Sequence, residues 1–436
     1  MNVIVGWAAG SATRSGVAET ELRERLLTGR WLRDLQTEIR KQLGPAREEI
    51  VGPADISRNA FLRVWSRLAV CYSPTPRVTG IDPGLFAEIG DYGNGTEDVM
   101  PSTLARILAV GQRYWLGCNE VGIATVWSGD AATGKLGFQI VRPSTLDGLQ
   151  DPERPGVPIV LARKLTRRVG SQCEEVWDVW DLRVPSYQIL RGFEIDENGT
   201  IHGQDVTKEA IGQESQRGDS YWWRWTQGRR RGEPFIPIEI YHRTPPIDLF
   251  DRESGSELAQ GALTVGVLWS YWLHACRDAG WPQRWIEGLE VVGAAVASGD
   301  GATAATPAAI PTDPASVIQF QRIDPQFAGQ IGQWGPGSDP EVLGRAILAY
   351  EQSLEYQLLP VDYSSTGGDP LGKLQEARED YIAGLYPVCR EHDGHVLEMA
   401  AAVFNLARGT DYPEEGYGIA YRSEIEKPEP ADDGEE

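Results

Sequence analysis

Three stretches of the chain combine residue types that could do chemistry. Gly129 to Lys135, GDAATGK, has the spacing of a phosphate-cradling loop, in which backbone N–H groups hold phosphate oxygens and the lysine reaches them. Leu136 stands where that loop needs a Ser or Thr for magnesium, and residues 136–141 read as a strand. A phosphate loop has to open a helix whose dipole faces the anion, so a hairpin turn is the better reading. His392 and His395 sit three residues apart, a spacing that puts two imidazoles on one helix face as a metal pair would require. No third ligand is evident, so they read as a solvated face and no metal site is assigned. The run Tyr221-Trp222-Trp223-Arg224-Trp225, followed by Arg229-Arg230-Arg231, could stack bases or sugars. Rings buried alternately on a strand pair that ends in a charged turn are the plainer account. No serine has a nucleophile-elbow context, and no carboxylates pair at a recognisable active-site spacing. The reading is of a protein that is not an enzyme and takes no cofactor.

The composition bounds the remaining classes. At 436 residues the chain can bury a large core and form two or three domains. Acids outnumber bases 63 to 41, giving a net charge of −22, which argues against tight nucleic-acid binding by phosphate neutralisation. Cys71, Cys118, Cys173, Cys276 and Cys389 are far apart and show no paired spacing, so neither a zinc site nor a disulfide framework is expected. Met1 to Ala9 does not read as a signal peptide, and the apolar run around Trp269–Ala275 is too short to span a membrane. A soluble, unsecreted protein in a reducing compartment is expected. On that view the sequons at Asn94 and Asn198 are turns.

The elements that position these residues follow from periodicity. Helical patterns run over 18–43, 56–71 and 101–116. The period then changes to two, with strands expected at 121–127, 136–142, 157–164, 175–182, 187–195, 220–226 and 236–242. Pro245-Pro246 ends that region, and Ser256–Ala279 is helical again. Residues 281–326 hold Trp281, Trp285 and strand-like stretches at 289–296 and 316–322, around an Ala- and Gly-rich centre. Asp339-Pro340-Glu341 gives an N-cap, a proline in the first turn and an acid at the positive dipole end. The helix it starts carries Leu343, Ile347, Tyr350, Leu354 and Leu358 on one face and stops at Pro360. The following loop is Val361-Asp362-Tyr363-Ser364-Ser365-Thr366-Gly367-Gly368-Asp369, small and polar at its centre. A long helix then runs from Pro370 toward Gly409, with a kink expected near Pro387. A last strand is expected at 417–423 and a disordered acidic tail after it.

This order of elements resembles the portal proteins of tailed bacteriophages. The likeness lies in the succession helix, strand-containing excursion, helix, small-residue loop and long helix, with LLP at 358–360 and TGGDPL at 366–371 similar to the family's loop-then-helix signature. The wing segment from Leu104 to Pro143 is also similar. The fold class this implies is α+β and phage-portal-like. Residues 1–253 would be a wing, 254–280 a first stem helix, 281–335 a small α/β clip with a return strand and 336–359 a second stem helix. Residues 360–369 would be the tunnel loop, 370–409 the long kinked helix, and 410–436 a short strand and tail that leave the crown minimal or absent. The resemblance implies a dodecameric homo-oligomer at the capsid vertex of a virion, assembled in the host cytoplasm. It also implies a channel through which double-stranded DNA is packaged and ejected without tight binding. The implied partners are terminase, the major capsid protein and a head-tail adaptor, with no membrane. Val361 to Asp369 would then face the DNA channel, and Trp281 and Trp285 would be candidate partner-binding anchors in the clip. The rivals are a Trp-rich carbohydrate- or nucleotide-acting enzyme and another virion connector or capsid protein.

Overall fold

The computed structural model describes residues 16–43, 58–89, 100–207, 221–280, 339–359 and 370–421, less 101, 130–132, 170–171, 197, 245, 247 and 253, together with strands between 284 and 333. The fold is α+β. Its elements begin with α1 (Val17–Leu27), α2 (Leu32–Leu43), α3 (Ala60–Leu68), β1 (Arg77–Thr79), α4 (Pro83–Ile89) and α5 (Ser102–Cys118). A β-rich stretch follows: β2 (Glu120–Ser128), β3 (Lys135–Val141), β4 (Leu146–Asp151), β5 (Arg154–Val169), β6 (Gln172–Asp181), β7 (Ser186–Ile195), β8 (Ile201–Asp205) and β9 (Ile238–His242). Then come α6 (Ser256–Gly280), the short strands β10 (Arg284–Glu287), β11 (Leu289–Gly293), β12 (Gln319–Arg322) and β13 (Gln330–Gln333), α7 (Pro340–Tyr356), α8 (Pro370–Arg408) and β14 (Gly418–Ala420). The chain divides into two compact units, one of residues 1–31, 61–260 and 355–436, the other of 32–60 and 261–354.

The single helix expected over 18–43 is two helices. Gly29, at φ 71°, adopts the left-handed conformation that closes α1, while the Arg30 amide bonds the Arg25 carbonyl at 2.8 Å and the Gly29 amide bonds that of Leu26 at 3.3 Å. This is the glycine-terminated helix end that satisfies otherwise orphaned carbonyls. The break falls where the chain passes from one unit to the other.

In the first unit, β2 is the centre of a three-stranded antiparallel sheet in the order β3-β2-β9. The β2–β3 hairpin closes with Ser128 opposite Lys135, so GDAATGK leads from one strand into the next and not into a helix, with Gly129 at φ 103°. Val121 pairs with Tyr241 and Ile123 with Glu239, which puts these four on one face. Both α5 and α8 pack there: Trp115 of α5 and His392 of α8 each meet the Tyr241 ring. The strands β4 to β8 form a separate meander whose core includes Leu149, Val160, Val179, Leu190 and Phe193. The β1–β14 pair, Val78 opposite Ile419, joins an early segment to a late one.

Tyr221, Trp223 and Trp225 are buried while Trp222 and Arg224 are partly exposed, so the expected alternation of rings holds. The strand expected over 220–226 does not form; the described part, 221–226, makes an isolated bridge, Arg224 to Pro234. That bridge is flanked by two backbone bonds, from the Phe235 amide to the Trp223 carbonyl at 3.1 Å and from the Trp225 amide to the Glu233 carbonyl at 3.0 Å. The hairpin tip is gripped as well by Glu414. Its carboxylate accepts the amides of Thr226 at 3.1 Å and Gln227 at 3.2 Å and the Asn405 side-chain amide at 3.2 Å.

The second unit holds α2, most of α6 and α7, and the β10–β13 and β11–β12 pairs. Helices α6 and α7 run antiparallel, because Gly261 lies against Leu354 at one end while the Trp272 indole donates to the Pro340 carbonyl at 2.8 Å at the other. Gly344 is what lets α7 approach: a Cβ there would come within 3.0 Å of the Trp272 Nε1. The N-cap at Asp339 forms as expected, its side chain accepting the Glu341 amide at 2.8 Å.

The Glu414 clasp is buried and charged, so Glu414→Gln removes charge-assisted hydrogen bonds without changing shape. A loss of about 2 kcal/mol is expected, read as a lower urea midpoint at an unchanged slope.

Candidate functional site

The residues singled out from the sequence fall mostly where nothing can be said of them. Val361, Asp362, Tyr363, Ser364, Ser365, Thr366, Gly367, Gly368 and Asp369 lie outside the described residues, as does Trp281. Trp285 lies on β10, opposite Gly332 of β13. The two helices that flank the loop are described. Glu355, in the last turn of α7 and 7% exposed at its side chain, accepts from Arg67 of α3 at 2.8 Å and from the Arg378 Nε of α8 at 2.7 Å. Leu359 just beyond is buried. One carboxylate therefore fixes the chain on both sides of the loop. The carboxylate is buried while its partners reach solvent, Arg67 at 46% and Arg378 at 25% side-chain exposure, so what the acid supplies is a set of charge-assisted hydrogen bonds.

The densest polar site of the first unit was not foreseen, and it is built on α8 and β9. Pro387 lies inside α8, and the helix continues past it to Arg408. Two helical turns beyond the proline, Asp393 points inward and is fully buried. Its Oδ1 accepts the hydroxyls of Tyr72 at 2.8 Å and Tyr241 at 2.7 Å, and its Oδ2 that of Tyr421 at 2.6 Å. Burial pushes this carboxyl up to about 6, and the three hydroxyl hydrogen bonds keep it from rising further. The same burial, reinforced by the nearby carboxylate, raises all three tyrosines, so they stay neutral donors.

Beside it, His392 is largely buried and His395 about half exposed, so the expected solvated face holds only for His395, and an acid joins the two. The Nδ1 atoms of both meet one oxygen of Glu239, Oε1, at 2.6 and 3.3 Å. Burial alone would raise Glu239; the two imidazole hydrogen bonds and their charge outweigh it and hold the carboxyl at about 2. His395 is raised to about 9, first by its hydrogen bond to Glu239. His242, buried on the same strand, is lowered to about 4 by desolvation and by the charge of His392. Chemically the arrangement is a carboxylate neutralised by imidazolium next to a carboxylate held by neutral donors. Among the described residues no group of three or more His, Cys, Asp or Glu side chains is arranged to hold a metal ion. Nor is any helix among them long and apolar enough to cross a membrane.

No family model matches the chain, and no curated protein matches it in sequence.

Two outcomes are expected from these geometries. Glu355→Gln should lower stability by about 1–2 kcal/mol in chemical denaturation. Separately, His395 has a folded pKa above its unfolded value of 6.5, so its contribution is complete below pH 6.5 and disappears as the pH rises through 9. Glu239 acts oppositely, contributing above 4.5 and losing that as the pH falls through 2. Between pH 7 and 9 the stability should fall, and His395→Gln should remove that slope in melts taken across the range.

Proposed function

We propose that this chain is the subunit of a portal-type ring, the conduit through which double-stranded DNA enters and leaves a phage head. The observation that carries the reading is the antiparallel α6–α7 pair, interrupted by the strand-containing segment 281–335 and followed by the loop and the 39-residue α8. That is the order of stem, clip, stem, tunnel loop and long helix. The pair also keeps Tyr271, Leu273, Val342, Leu348 and Tyr350 exposed, among the few large apolar side chains that the described residues leave in solvent. Exposed apolar surface concentrated on one element marks an interaction site. A heterologous contact between copies, closing into a ring, would cover it.

The acidic balance of −22 suits a conduit, because a like-charged wall releases no counterions from the phosphate backbone and leaves the duplex free to slide. In this reading Val361 to Asp369 line the channel, and the clip, with Trp281 and Trp285, docks terminase and then the head-tail adaptor. The wing meets the major capsid protein. The assembly belongs to the virion, formed in the host cytoplasm, with no catalytic step.

Negative-stain imaging and native mass measurement of the purified protein test this directly. Rings with a central hole, with a mass near that of a dodecamer, are expected. A Leu348→Glu variant should shift the population toward monomer. A protein that stays monomeric or dimeric at every salt concentration tried would overturn the reading.

A further inference from the structure

A cleft of about 790 Å³ lies in the first unit between α1, Tyr114 of α5, the end of β3 with residues 142–145, and the β5–β6 pair. Five cations line it against three acids, in a chain whose net charge is −22. Most of these charges answer one another. Arg25 lies 3.7 Å from Glu21 and Lys164 2.8 Å from Glu175, while Arg163 donates to Asp178 at 2.6 Å. Glu24 is buried, and Ser144 occupies both its oxygens, the amide bonding one at 2.9 Å and the hydroxyl the other at 2.8 Å.

Two guanidinium groups remain. Arg30 is exposed and has no acid partner among the described residues. Arg142 comes no closer to Glu24 than 3.8 Å, beyond hydrogen-bond range, and its side chain is 59% exposed, so its donors are open to a ligand from solution. Both sit around the half-buried Tyr114: burial raises its hydroxyl, and the charges of Arg142 and Arg30 oppose that rise.

An open cleft with two separate, unpaired guanidiniums suits a chain that carries spaced carboxylates, because each arginine can take one carboxylate through paired N–H donors. A compact dianion would bring its whole charge to one point, against Glu21 and Glu175 in the same cleft. We infer that the cleft binds an acidic peptide segment, and that its occupant is this chain's own residues 424–436. That segment, EIEKPEPADDGEE, lies outside the described residues and holds seven acids and one lysine. Tyr421, the last described residue before it, belongs to the same unit as the cleft. Fifteen residues follow Tyr421. Extended, they reach up to about 50 Å, against a radius of gyration of about 19 Å for a unit of roughly 300 residues. The unit's own surface is within that reach. The contact lies within one chain and stands apart from the ring reading.

Lys164 makes the occupant detectable, since a carbodiimide condenses an amine and a nearby carboxylate to an amide and takes up the water itself as a urea. In the full-length protein, peptide mapping by mass spectrometry should show two cross-links from Lys164. One goes to Glu175, its ion-pair partner, and serves as the internal standard. The other goes to an acid within 424–436. With Arg30→Glu and Arg142→Glu together, the second link should fall about fivefold relative to the first, and it should fall likewise at about 0.5 M salt. Arg30→Gln with Arg142→Gln should shift it in the same direction by less, which guards against a charge reversal that disturbs folding. In a mixture of unlabelled and isotope-labelled protein, the second link should join like isotopes. A Lys164–Glu175 link without a link to 424–436 overturns the inference. So does a second link that ignores both pairs of substitutions, one that joins unlike isotopes, or one made to a different acidic segment.

Discussion

The constraint on which the first unit rests is the burial of Asp393. A carboxylate taken out of water is costly unless hydrogen bonds or charge replace its hydration. Here three tyrosine hydroxyls replace it, and each comes from a different part of the chain: the segment after α3, β9, and the residue following β14. With α8 that makes four segments meeting on two oxygen atoms. The rings attached to those hydroxyls pack as well, Tyr421 stacking on Tyr386 at 4.8 Å and meeting Tyr72 edge to face. No one of these segments can leave without unsatisfying the carboxylate, so the early, middle and late parts of the unit are held to a common arrangement.

Periodicity made the long elements readable. The expected helix over 256–279 is α6 to within one residue, and the helix expected to start at 339 is α7, with its acidic cap in place, though it ends at Tyr356, short of Leu358 and the expected stop at Pro360. The β2–β3 hairpin was legible because Leu136 and the strand pattern behind it are incompatible with a helix-opening phosphate loop. What was missed has specific causes. Gly29 sits within a run whose apolar spacing continues across it, so the helix end could be seen only from its conformation. Strand β4 (burial on both faces) gives no alternation, and β8, almost wholly exposed, gives no apolar signal.

The polar site was illegible for a different reason. Asp393 is 321 residues from Tyr72 and 152 from Tyr241, and Glu239 is 153 from His392. Pairings at that separation leave no local pattern. The signal that was present is the position of Asp393 itself. It lies in helical register with Cys389, Val396 and Ala400 on the buried side of α8, where an acid at an apolar position requires a partner. The spacing of His392 and His395 was noticed, but the acid that joins them lies on a strand that the sequence places in another region.

The two adjacent carboxylates are satisfied in different ways. Glu239, at 18% side-chain exposure, is answered by imidazoles, one of which is itself half exposed; Asp393, with no exposure, is answered by neutral hydroxyls. From Val396 to Phe404 the helix is embedded nearly all round, with Val396, Ala400, Ala401, Ala402 and Val403 wholly buried. Between Gly372 and Gly384 Leu374 alone is buried, and most other positions face solvent. The beginning of the helix is thus held by little fully buried surface, with Leu374 and the Arg378–Glu355 pair among its ties, while its end is locked by packing and by the tyrosine cluster. Local opening free energy follows buried contact density, so α8 stiffens from the loop toward its C-terminus. In the proposed ring the softer end borders the passing duplex and the stiffer end carries the wing. A helix so graded can yield at the channel while its far half, packed into the core, keeps the subunit's frame unchanged.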